Sequence, residues 1–257
     1  MKRFDVITIF PAMLDALLDH GITRRALDEK LFELHAWDPR QFAQDAYRRV
    51  DDRPYGGGPG MVMMAEPLQA AIDAAVKRQL EAGVAKPVVV LMSPQGQRLD
   101  DRVVGELAGE EGLVIIAGRY EGIDERVVAK CVDREVSIGD YVTSGGELPA
   151  MVMIDSIVRR LPGSLNDAES ATQDSFSAGF LDWPHYTRPE EWNEARVPDV
   201  LLSGNHAAIA RWRRKQALGR TWERRRDLID EKKLSREDRQ LLEEYQRERQ
   251  AQEHQQQ

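Results

Sequence analysis

Leu113-Val114-Ile115-Ile116-Ala117 runs directly into Gly118-Arg119-Tyr120-Glu121-Gly122, and a helical pattern follows near Val127-Val128. A β-branched run too short for a helix, closed by glycines and then by helical periodicity, reads as a buried strand that turns into a helix. The same order occurs twice more upstream. Val88 to Met92 precedes a helical pattern through Val103 and Leu107, and Phe4 to Phe10 precedes one opened by Pro11. This alternation predicts an α/β domain with a largely parallel sheet. Ligands of such sheets sit outside the carboxyl ends of the strands, where loops enter helices. Three loops are expected there: Ser93-Pro94-Gln95-Gly96, Gly118 to Gly122, and Ser137 to Gly146.

A further helix ends near Arg159-Arg160, after which Leu161-Pro162-Gly163-Ser164-Leu165-Asn166-Asp167 breaks the periodicity and small polar residues continue to about Ser177. Pro184, Pro189 and Pro198 punctuate the next stretch, and from Asn205 the pattern is helical to the end. The expected organisation is an α/β domain over 1–165, a linker over 166–181 and a smaller helical domain over 182–257.

The 257 residues carry a formal net charge of −8 with 42% hydrophobic and 31% charged residues, which describes a globular chain and excludes a disordered or fibrous one. One cysteine, Cys131, excludes a disulfide framework and a Cys-rich zinc cluster. No apolar run approaches the roughly 18–20 residues that cross a bilayer, and Asp5 interrupts the only stretch resembling a signal peptide, so a cytoplasmic protein is expected. The acidic total conceals an uneven distribution. Residues 196–226 hold nine basic side chains against two acids, whereas from Glu237 onward six acids face three arginines before a Gln-rich tail. Affinity for phosphate follows the placement of positive charge rather than its sum. Trp212, Trp222 and the surrounding arginines therefore present either a helical core with a solvated face or a phosphate-binding surface.

The chain lacks G-x-x-x-x-G-K-[ST], G-x-G-x-x-G and H-E-x-x-H, and its five histidines show no ligand spacing. Arg53-Pro54-Tyr55-Gly56-Gly57-Gly58-Pro59-Gly60 is either a flexible loop or a mobile segment whose glycines let backbone approach a ligand. Ser137 to Gly146 is either a turn eased by glycine or a wall that offers backbone groups to a planar ligand. Asp155 and Arg159, four apart, suit a helical surface pair, and Thr172 or Asp174 suits a helix cap.

Taken as ordered blocks, the motifs resemble the bacterial tRNA (guanine-N1)-methyltransferases of the SPOUT superfamily. The blocks are Phe4 to Pro11, Tyr55 to Met63, Gly118 to Arg126, Ser137 to Val142 with Gly145-Gly146-Glu147, Asp174-Ser175-Phe176, Pro184 to Pro189 and Leu201 to His206. The resemblance spans nearly the whole chain. It implies a trefoil-knotted α/β domain, a helical second domain, and a homodimer whose active site is shared between subunits. Two positions depart from the family's pattern: Thr143 stands where Leu is usual, and Arg226 where Pro is usual.

The resemblance also implies roles. Pro94, Gly118, Tyr120, Glu121, Gly122, Ser137, Ile138, Gly139, Asp140, Tyr141, Val142, Thr143, Gly145, Gly146 and Pro149 would bind S-adenosylmethionine. Asp174 would be the base that takes the N1 proton of guanine, Arg159 the cation at O6, and Glu121 a further carboxylate near the methyl group. Arg188, Asn205, His206, Arg211, Arg213, Arg214, Lys215 and Arg220 would hold tRNA, the target being guanine 37 preceded by guanine 36. Mg²⁺ is implied as an activator, with no ligand named. A ribose 2′-O-methyltransferase, and an RNA-binding protein whose α/β domain is only structural, are the competing readings.

Overall fold

In the computed structural model, β1 (Lys2–Ile7), β2 (Phe32–Trp37), β5 (Val88–Arg98), β6 (Gly112–Ile116) and β7 (Arg134–Ser137) form one parallel sheet in the order β2-β1-β6-β5-β7. Residues 1–165, 173–230 and 232–255 are described. They fall in two units, Met1–Ala168 and Glu169–Gln257.

The sheet is covered on both faces, as parallel sheets require. Alternate residues of β6 serve opposite cores: Leu113 and Ile115 on one side, Val114 and Ile116 on the other. The first core is closed by α1 (Asp15–Asp19), α2 (Gly21–Asp28), α4 (Asp101–Gly109) and α6 (Glu147–Val158), which contribute Leu17, Ala26, Leu107 and Met153. The second is closed by α3 (Ala65–Glu81) and α5 (Glu125–Cys131), through Leu68, Ala71, Ile72 and Val127. Asp100 and Asp124 start α4 and α5 by accepting the backbone N–H of Val103 and Arg126. Pro11 opens a short 3₁₀ turn rather than the α-helix itself.

One expected strand-to-helix loop is something else. Ser93 to Gly96 lies inside β5, where both Met92 and Gln97 are in register with Val136 of β7. The extra residues bulge out of the ladder and re-aim the chain, which is a common device beside functional sites. Gly96 tolerates this because its α-carbon lies against the backbone of Glu135 and Val136, where a Cβ would come within 2.4 Å. The Gly-rich segment also has a definite place. It joins β3 (Asp51–Asp52) to β4 (Val62–Met63), an antiparallel pair, with Gly56, Gly57, Gly58 and Gly60 all at positive φ.

In the second unit a hairpin of β8 (Glu191–Trp192) and β9 (Ala195–Arg196) precedes α7 (Asp199–Leu202), α8 (His206–Arg224) and α9 (Arg236–Gln255). Asn205 caps α8 by accepting from the N–H of Ala208. The two long helices enclose Leu218, Leu234, Leu241 and Leu242. They approach closely at Gly219, where a Cβ would meet the Tyr245 ring at 2.3 Å. The helical pattern from Asn205 is therefore two long helices, one ending at Arg224 and the next starting at Arg236. Phe180 packs on this core and the Leu181 N–H donates to Thr221 Oγ1, so residues near 180 belong to the helical unit although the sequence suggests linker there. Residues 166–172 of that expected linker, the suggested cap Thr172 among them, lie outside the described residues.

Candidate functional site

A cavity of about 300 Å³ opens beside the bulge of β5 and at the carboxyl ends of β6 and β7 in the first unit. Its wall includes the bulge at Ser93-Pro94-Gln95, the segment Gly118 to Ile123 that follows β6, and the loop from Ser137 to Gly146 that follows β7. That last loop begins at the sheet edge, passes β5 and reaches the end of β6, where Gly146 N–H donates to Gly118 O at 2.8 Å. Glycine is required at the crossing, since a Cβ on Gly146 would lie 2.6 Å from Ala117 Cα.

A buried ion pair locks the crossing. Arg119 Nε donates to Glu147 Oε2 at 2.7 Å, Thr8 Oγ1 donates to Glu147 Oε1 at 2.8 Å, and Arg119 Nη1 donates to Ser144 O. Glu147 is fully buried in the first turn of α6, where a carboxylate also suits the positive end of the helix dipole. The Arg119 guanidinium stacks over the Phe10 ring at 4.6 Å. Within the loop, Ser137 Oγ donates to Gly139 O and accepts from Gly139 N–H, while Thr143 Oγ1 donates to Gly145 O at 2.8 Å. The hydroxyl at 143 thus ties the loop.

The segment after β6 is held from the other side by the Gly-rich hairpin. Glu121 N–H donates to Met61 O, Met63 N–H to Gly122 O, and Asp124 N–H to Met63 O. Gly60 lies against the Glu121 carboxyl group, so a side chain there would displace it. Tyr120 has φ 62°, a conformation that a bulky residue adopts only at a cost of about 1–3 kcal/mol when its surroundings enforce it. Burial, and then the adjacent Asp51 carboxylate, raises the Tyr120 phenol above its usual pKa. Both effects keep it a neutral hydrogen-bonding group.

The cavity brings together Pro94, Gly118, Tyr120, Glu121, Gly122, Ser137, Ile138, Tyr141, Val142, Thr143, Gly145, Gly146 and Pro149. Gly139 and Asp140 stand in the same loop but outside the lining; Gly139 instead gives room to the Tyr141 ring, which a Cβ would meet at 2.7 Å. Sequence reading missed Arg119, Glu125 and Glu135 in the lining, and Glu147 and Thr8 beneath it. Only the sequence adjacency of Gly145-Gly146 to Glu147 offered a signal for the last pair. Arg159 is half-buried immediately after α6 in the first unit, whereas Asp174 is exposed in the second, where its carbonyl accepts from Ser177.

The basic stretch is less cationic than it reads. Arg211 pairs with Glu244, Arg214 with Asp238 and Lys215 with Glu248, all through α9. The guanidinium partner of each carboxylate lowers the pKa of Asp238 and Glu244. Arg213 lies over the Trp183 ring at 4.9 Å, exposed Arg188 stands before the hairpin, and Asn205, exposed His206 and half-buried Arg220 lie at or along α8. Arg226 sits over Trp222 at 5.5 Å. A second cavity of about 650 Å³ is lined by Trp183, Tyr186, Arg188 and Arg213 with neighbours from α7 and α8. Among the described residues no three His, Cys, Asp or Glu side chains gather as a metal site, and no helix is long and apolar enough to cross a membrane.

The family described as tRNA (Guanine-1)-methyltransferase TrmD matches residues 1–231 of this chain. A tRNA (guanine-N(1)-)-methyltransferase of Chromobacterium violaceum is 60% identical over 246 residues, covering 96% of each chain. The protein of the same name from Nitrosospira multiformis is 59% identical, covering 95% of this chain and 96% of its own. That from Burkholderia multivorans is 60% identical over 240 residues, covering 92% and 91%.

Proposed function

Because the chain belongs to the tRNA (guanine-1)-methyltransferase family, we propose that it transfers a methyl group from S-adenosylmethionine to N1 of guanine 37 in tRNA, where guanine 36 precedes the target. The observation that carries this reading is the first-unit cavity, assembled from three chain segments at the strand ends. Its residues suit the cofactor. Gly118, Gly122, Gly145 and Gly146 bring backbone to the wall, while Ile138, Val142 and Pro149 offer apolar faces to a planar base. Glu121, Glu125 and Glu135 line it against one arginine already paired to Glu147, a balance that favours the positive sulfonium and amino groups.

S-adenosylmethionine supplies an electrophilic methyl group when bound. Asp174 then accepts the N1 proton of guanine, and Arg159 hydrogen-bonds O6, where negative charge collects as that proton leaves. Glu121, on the cavity wall, adds a carboxylate beside the methyl group. These roles rest on motif position. The described residues provide no cluster to hold the expected Mg²⁺, so no step is assigned to it.

A trefoil knot in 1–165 is part of the proposal, supported by the crossing at Gly146 and Gly118. So is a homodimer in the cytoplasm. α6 buries most of its apolar faces yet leaves Leu148 and Val152, one turn apart, nearly half exposed, as a helix does when a second apolar layer covers it.

The test is transfer of labelled methyl from S-adenosylmethionine to unmodified tRNA transcripts with guanine or adenine at position 37, followed by nucleoside analysis. Label in 1-methylguanosine from the guanine transcript alone is expected. Label on ribose would discard the base chemistry, and tRNA binding without transfer would favour an RNA-binding role.

A further inference from the structure

The larger cavity of the second unit has a chemistry of its own. Tyr186, half exposed, and Trp183 place two aromatic rings in its wall over an apolar floor that includes Leu201 and Ile209. Arg188 and Arg213 also line it. These two guanidinium groups differ from Arg211, Arg214 and Lys215. Among the described residues, neither has a carboxylate partner, whereas Arg211, Arg214 and Lys215 are each neutralised by α9. Two guanidinium groups without a carboxylate partner thus stand at the aromatic cavity, whose one acid, Glu190, is itself paired to Arg196.

Aromatic faces take up the π-surface of an unstacked base, and guanidinium groups take up the phosphate attached to it. A purely apolar partner would leave both arginines without an anion, and an inorganic anion would leave the rings unused. We propose that this cavity binds one unpaired nucleobase of the tRNA substrate, other than the methylated guanine, stacked on Tyr186 with its phosphate held by Arg213 and Arg188. The proposal rests on the tRNA reading above and adds a second point of base recognition. Arg213 is pre-positioned for it. Its guanidinium already lies over the Trp183 ring at 4.9 Å, which holds the group in place without consuming its charge.

The experiment uses the full chain with tRNA transcripts carrying a fluorescent base analogue at one unpaired position at a time. At one position outside the methylation target, the analogue should be quenched on binding to the native protein and to Tyr186→Phe, which keeps the ring. Tyr186→Ala should restore its fluorescence and weaken tRNA binding about tenfold, with S-adenosylmethionine affinity unchanged. The proposal is overturned if no position outside the target is quenched in the native complex, or if Tyr186→Ala leaves both quenching and affinity as they were. Either result with methyl transfer to guanine intact removes this cavity alone. Failure of the native protein to bind or methylate tRNA would remove the underlying reading as well.

Discussion

Replacing Glu147 by Gln tests whether the Arg119 clasp holds the cofactor cavity together. Glu147 is fully buried and accepts from Arg119 and Thr8, while Arg119 retains 16% of its side-chain exposure. The amide of Gln can still accept from Thr8 through its oxygen, but it turns an N–H donor toward a guanidinium that is itself only a donor. Removing one member of a buried pair costs about 3–5 kcal/mol. Arg119 keeps Ser144 O and the Phe10 ring, so the lower end, about 3 kcal/mol, is expected. Because the chain has two units, a single melting curve would mix them. Hydrogen exchange of peptides from β6 and α6 reports on the first unit alone. Their slowest amides should exchange about 100-fold faster in the variant, the factor equivalent to about 3 kcal/mol. Combining Arg119→Met with Glu147→Leu should cost less than Glu147→Gln, since it leaves no buried charge and only the neutral Thr8 hydroxyl loses its acceptor. Exchange within threefold of the native rate for Glu147→Gln would refute the argument that the pair locks the crossing.

Asp174→Asn should lower single-turnover methyl transfer by about 10²–10⁴-fold with S-adenosylmethionine binding retained; unchanged transfer would remove Asp174 as the base. Gly146→Ala, which forces a Cβ against the backbone of Ala117 and Gly118, should cost about 1–3 kcal/mol and weaken cofactor binding in calorimetry. Lys2 is held down to about pKa 8, from 10.5, by burial against the weaker opposing pull of Glu110. Between those values the unfolded chain binds the proton that the folded chain has released, so this residue makes stability rise as pH increases from about 8 toward 10.5. Urea unfolding of Lys2→Met across that range should lack this increment, and an identical slope in both proteins would contradict it. Affinity for tRNA should fall steeply with salt while cofactor affinity changes little, and Arg213→Ala should reduce the salt slope by about one.

Features that depend on neighbours along the chain are legible in residue order alone. Leu113 to Ala117 is apolar on both alternating sides, so it had to be a central strand of a sheet covered on two faces, and β6 is buried along its whole length. Asn205 announces a helix start because a cap bonds a backbone group only three residues away. Most of the cavity lining was equally legible, because glycines and short polar residues between a strand and a helix mark a loop at a strand end. Features that depend on partners distant in sequence emerge only on folding. Ser93 to Gly96 reads as a loop, and only its register against β7 makes it a bulge within β5. Glu147 reads as an ordinary first-turn acid, until the fold brings Thr8, 139 residues away, and Arg119 to its two oxygens. Local counting likewise gives the stretch around α8 a strong positive charge, but acids 24 and 33 residues further on return to cancel Arg214, Arg211 and Lys215. Backbone propensity acts over a few residues, whereas burial and charge pairing act through space, and a chain encodes the second only by folding.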